Sequence, residues 1–154
     1  DLWLAGARLP VFREPTSCIE VEASRDKMTT TLVWSNPDAT FFMNSPVLCG
    51  GHLYGLAQES KGSLVCMDAG GGKVLWRSEG RMAEYASIVS AGDKLLVLTN
   101  DGILRVVAAD STGYKEIQSL KVSAAPVWSH LAVASGRLFV KSKTHLTCLA
   151  LKAE

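Results

Sequence analysis

The run Gly70-Gly71-Gly72-Lys73 has the residue types of a phosphate-cradling loop: glycines whose N–H groups can approach an anion, then a lysine. That chemistry also needs a glycine five positions before Gly72 and a serine or threonine after the lysine. Met67 and Val74 stand there instead. The run leads into a β-rich segment and not a helix, so it reads as a tight turn. His52, His130 and His145 are too scattered for a metal pair and read as structural histidines. His130 differs in lying beside Trp128, just before an apolar run. Cys18, Cys49, Cys66 and Cys148 show no Cys-x-x-Cys spacing, which argues against zinc; they read as small, half-buried apolar side chains. No Gly-x-Ser-x-Gly elbow occurs. Glu20 and Glu22 share a strand face that is expected to meet solvent, and Phe41-Phe42 with Met43 is expected to pack in the core. Nothing in the residue types spells out a catalytic site.

The elements that would position such residues are strands. Segments such as KLLVLT, ILRVVA, RLFVKS and HLTCLALK are short, β-rich and bounded by Gly, Asp, Asn or Ser. Ala91-Gly92-Asp93, Asn100-Asp101-Gly102 and Ser135-Gly136 supply residues that tolerate tight hairpin turns. No segment keeps a helical period for three turns.

A repeat organises them. Trp76 recurs 42 residues earlier as Trp34, and Ile117 stands 41 residues later. The turn glycine Gly51 has counterparts at Gly92, Gly136 and Gly6. A period of this size means stacked copies of one supersecondary unit. With short antiparallel strands it selects an all-β propeller of four-stranded blades. Four units follow, at about residues 1–40, 41–82, 83–123 and 124–154. The first has strands near 2–5, 8–13, 17–22 and 30–34, with a charged bulge at Arg25-Asp26-Lys27. The second has strands near 46–49, 52–56, 63–68 and 73–77. The third has strands near 86–90, 94–99, 103–108 and 114–122. The fourth has strands near 127–134, 137–141 and 145–151, one short of a blade. Cys66 and Cys148 occupy equivalent positions two periods apart, too far for a bridge.

Composition bounds the rest. The chain has 154 residues, 47% apolar and 20% charged, enough for a buried core. A formal net charge of +1 argues against a dedicated nucleic-acid or anionic-membrane surface. Lys141 with Lys143 reads as the wet face of a strand. The longest uncharged stretch, 39–58, contains Asn44, Ser45, Pro46 and His52 and makes no transmembrane helix. No signal peptide is visible, since the apolar start at Leu2 has no basic region before it. The chain begins with Asp1, which suggests a processed chain or a piece of a longer one.

The segment Cys66-Met67-Asp68-Ala69-Gly70-Gly71-Gly72-Lys73-Val74-Leu75-Trp76 resembles the repeat of the PQQ-like β-propeller family, Ala-x-Asp-x-x-Thr-Gly-x-x-x-Trp. That family includes the quinoprotein dehydrogenases and BamB-like proteins. Asp68, Gly72 and Trp76 match; Cys66 and Gly71 depart. In the third unit Thr112-Gly113 fit, while Ala109 replaces the Asp and Ile117 the Trp; the first unit keeps Trp34. The ending from Val127 through Cys148 looks like a last blade. The resemblance implies the C-terminal half of a ring, an extracytoplasmic or periplasmic setting, and partners that are proteins or the remaining blades. Self-association through open blade edges follows from the same picture.

The expected function is a non-catalytic binding or scaffold module with no cofactor. One alternative is part of a PQQ- and calcium-dependent dehydrogenase, although the adjacent cysteine pair and calcium loop of such enzymes have no counterpart here. Another is a sugar- or peptide-sensing propeller with Trp128, His130 and Tyr85 near a central channel.

Overall fold

A computed structural model describes residues 15–41, 44–57 and 62–151. Among them there is no helix. The expected strands at 2–5 and 8–13, together with Phe42 and Met43, lie outside the described residues.

The strands form meanders in which each pairs with its sequence neighbour. β1 (Thr16–Ala23) and β2 (Met28–Asn36) make a two-stranded ribbon. β3 (Val47–Cys49), β4 (His52–Ala57), β5 (Ser63–Asp68) and β6 (Val74–Arg77) make a four-stranded antiparallel sheet. β7 (Ala86–Ala91), β8 (Lys94–Thr99), β9 (Ile103–Ala108) and β10 (Glu116–Lys121) make a second. β11 (Ala132–Ala134), β12 (Arg137–Lys141) and β13 (Leu146–Ala150) make a three-stranded sheet, short by one strand as the repeat predicts.

Side chains on successive strand residues point to opposite faces. In β4 and β5, Tyr54, Leu56, Leu64 and Cys66 face one way, into a core shared with Trp76, Ile88, Leu95 and Val97. Ala57, Val65 and Met67 face the other way, against Trp34 and Phe41. In β8, Leu96 and Leu98 turn from that first core toward Val127, Leu131, Leu138 and Val140. Each middle sheet is thus covered on both faces by its neighbours. Two-sided burial explains why LVCM and LLVL read as continuous apolar runs and not as alternation.

Two expectations need correction. Arg25-Asp26-Lys27 is not a bulge but the tip of the β1–β2 hairpin, closed by the Ser24 N–H donating to the Lys27 carbonyl at 2.8 Å. The ladder's irregularity lies at Cys18/Ile19. The strand expected over 127–134 contracts to Ala132–Ala134. Its first half leaves the ladder to dock on the preceding sheet: Val127 N–H donates to the Asn100 carbonyl at 2.9 Å, and Leu131 N–H to Ser87 Oγ at 2.9 Å. The cysteines also divide more sharply than expected. Cys66 is fully buried, Cys18 and Cys49 are half-buried, and Cys148 is exposed.

Candidate functional site

The repeat signature builds sockets between sheets. Asp68 ends β5 and closes the turn before β6. Its Oδ2 accepts the Gly71 N–H at 2.7 Å, and its carbonyl accepts the Gly72 N–H at 2.9 Å. The turn presents the Ala69 carbonyl to the Trp34 indole N–H, 3.0 Å away on the ribbon. Gly72 lies beneath that indole with φ +70°; a Cβ there would sit 2.3 Å from the Trp34 ring. Asn36 reaches the same turn, its Nδ2 donating to the Gly72 carbonyl at 2.6 Å.

The next junction repeats this arrangement 41 residues on. The Trp76 indole N–H donates to the Asp110 carbonyl at 2.7 Å. The Trp76 ring is buried, 6.0 Å from both the Tyr54 and Tyr114 ring centroids. Sequence matching finds Ala109 where the turn carboxylate belongs, but the structure supplies it from Asp110. Asp110 Oδ1 accepts the Thr112 N–H at 2.8 Å and the Thr112 hydroxyl at 2.7 Å. Those two donors hold the Asp110 carboxyl below the ordinary aspartate range. A search one residue either side of the expected position would have found it. Gly113 fits the signature yet meets no such constraint, since a Cβ there would touch nothing within 4 Å.

The third junction carries no tryptophan. Ile117 is half exposed on β10 and has no N–H to donate from its side chain. Ser87 and Asn100 take over. Ser87 Oγ lies 3.0 Å from His130 Nδ1 and accepts the Leu131 N–H, while the Asn100 backbone bridges Tyr85 and Val127.

The three side chains expected to face a channel divide accordingly. Tyr85 and Trp128 come together, ring centroids 5.7 Å apart and tilted by 36°. Tyr85 is buried, which pushes its phenol up, whereas Trp128 keeps 51% of its surface exposed. His130 is held by Ser87 instead. Beside Trp128 lies an open cleft of about 520 Å³ lined by Pro126, Trp128, Ser129, Lys141, Ser142 and Lys143. Four of these lie in the loop before β11 or the turn after β12, so residues reading as strand and wet face meet at one end of a sheet.

The described residues do not fit a quinone–calcium centre. No group of three or more His, Cys, Asp or Glu side chains among them gathers to hold a metal ion. The exposed tryptophan is backed by Tyr85 at a tilt, not by an adjacent cysteine pair. No described helix is long and apolar enough to cross a membrane.

No family model matches the chain, and no curated protein matches it. Among solved structures it is similar to BamB from Moraxella catarrhalis, with a TM-score of 0.55 and 16% identity over 68% of this chain. The chain spans 30% of the length of that structure. It is also matched by the computationally designed Ika8 protein, at 10% identity and a TM-score of 0.45, over 86% of this chain and 55% of that one. Meandering antiparallel sheets, cores between successive sheets and the likeness to BamB give a BamB-like, propeller-type fold whose described sheets stand open and unclosed.

Proposed function

We propose that the chain is a non-catalytic binding or scaffold module of the PQQ-like propeller type, working outside the cytoplasm and engaging a protein partner or further blades of the same propeller. One observation carries this reading. The β1–β2 ribbon sets Ile19 against Leu32 and Ala23 against Met28 on one face, with Val21 between them. Ile19, Val21, Leu32 and Met28 are 49–72% exposed. In the middle sheets every comparable apolar face is covered by a neighbour. An apolar ribbon face of this kind marks an interaction surface.

Sedimentation velocity over a wide concentration range tests the reading. Association that weakens in the Val21→Lys/Leu32→Lys double variant is expected. A strictly monomeric chain at all concentrations counts against it. Bound-quinone absorbance and dye reduction after reconstitution with PQQ and calcium would overturn the non-catalytic part.

A further inference from the structure

Charge is segregated along the chain in a way that its net value of +1 conceals. Between Glu116 and Glu154 the sequence contains Lys121, Arg137, Lys141, Lys143 and Lys152 and no aspartate or glutamate. The remainder carries an excess of carboxylates. The last sheet is therefore cationic on a body that is anionic, and the Trp128 cleft sits on it.

We propose that this cleft binds an acidic peptide segment of a protein partner, one that places an apolar side chain on Trp128 and carboxylates against Lys141 and Lys143. The inference rests on the reading of the chain as a binding module and names the chemistry of one of its sites. Four features support it. Trp128 is half exposed yet braced from behind by Tyr85, so a ligand meets a fixed aromatic surface and little side-chain freedom is lost on binding. Pro126 extends that surface. The hydroxyls of the cleft are committed internally: Ser129 Oγ donates to the Lys141 carbonyl at 2.7 Å, and Ser142 Oγ donates to the His145 carbonyl at 3.3 Å and accepts the His145 N–H at 3.1 Å. A neutral sugar would need such groups free; the ammonium groups are what the rim offers. Finally, no carboxylate lines the cleft, so an anionic ligand meets no like charge there.

Fluorescence anisotropy of a labelled peptide repeating Glu-Glu-Leu tests this, with Gln-Gln-Leu and Lys-Lys-Leu repeats as controls. The acidic peptide is expected to bind and the controls not. Lys141→Gln/Lys143→Gln is expected to weaken binding by about 10-fold and flatten its salt dependence. Trp128→Ala is expected to weaken it by a similar factor, about 10-fold. Lys73→Gln, on the second sheet, should leave it unchanged. No binding, or binding indifferent to Lys141 and Lys143, overturns the proposal. So does equal or tighter binding of a heparin oligosaccharide with the same lysine dependence, which would make the cleft a general polyanion surface. The lysine variants lie on an exposed rim, so the test survives if Trp128→Ala misfolds. Ribbon-mediated association, measured on the same samples, separates the two readings: association without peptide binding removes the cleft and leaves the module.

Discussion

The Trp76 indole N–H donates to the carbonyl of Asp110, 34 residues ahead on the next sheet, at 2.7 Å. One side chain thereby joins packing and hydrogen bonding across a junction. The two contributions separate by substitution. Trp76→Phe keeps much of the ring but leaves the carbonyl without its donor, which should cost about 1–2 kcal/mol. Trp76→Ala also opens a cavity between Tyr54 and Tyr114 and should cost on the order of 3–5 kcal/mol. Denaturant midpoints measure both. Equal losses would mean that the ring contributes nothing beyond its N–H.

Gly72 and Gly113 share a repeat position but not a constraint. At Gly72 the positive φ and the 2.3 Å approach to Trp34 both oppose a side chain. Gly72→Ala should destabilise by roughly 1–3 kcal/mol, and Gly113→Ala by no more than about 0.5 kcal/mol. Thermal melts of the two variants side by side check this. A Gly72→Ala protein as stable as Gly113→Ala would remove Trp34 from its socket.

The same junction sets two pH limits. The Asp110 carboxyl is held down by the Thr112 N–H and hydroxyl. A carboxyl depressed in the fold stabilises it fully above its unfolded value, about 4, and this contribution fades as pH falls through the folded one. Tyr114 moves the other way. Burial first, and then the hydrogen bond to Glu116 Oε2 at 2.8 Å, push its phenol up to about 12. Its contribution is complete below about 10 and is lost as pH rises toward that value. Asp110→Asn should flatten the acid limb of stability against pH, and Tyr114→Phe the alkaline limb. An unchanged acid limb in Asp110→Asn would show that another carboxyl governs it.

Legibility followed burial. β5, β8 and β9 lie where the sequence places them, residue for residue, because apolar runs ended by Asp68, Asn100-Asp101 and Ala109-Asp110 leave one solution. The 127–131 segment misled because Val127, Trp128 and Leu131 have strand composition, yet they spend it on docking. Tyr114 misled likewise, its ring serving Trp76 and not the ladder of β10. Asp110 escaped because a loop tolerates a one-residue shift of a carboxylate that a strand would not. The cleft escaped because Lys141 and Lys143 alternate like a solvent face, and only the turn after β12 brings them to Trp128.

Ser87 is where the tryptophan-free junction should fail first. It is completely buried in β7, and its hydroxyl meets both the His130 ring and the Leu131 N–H. Ser87→Ala deletes the acceptor while keeping the strand, leaving a buried N–H unpaired at a cost of about 1–3 kcal/mol. The damage should be local, because the Trp34 and Trp76 sockets lie on other junctions. Hydrogen exchange should therefore quicken across 127–141, while β4 and β5 keep their protection. His130→Ala spares the Leu131 bond and should cost less than Ser87→Ala. If His130→Ala proves the more damaging, the imidazole and not the serine hydroxyl holds the last sheet in place.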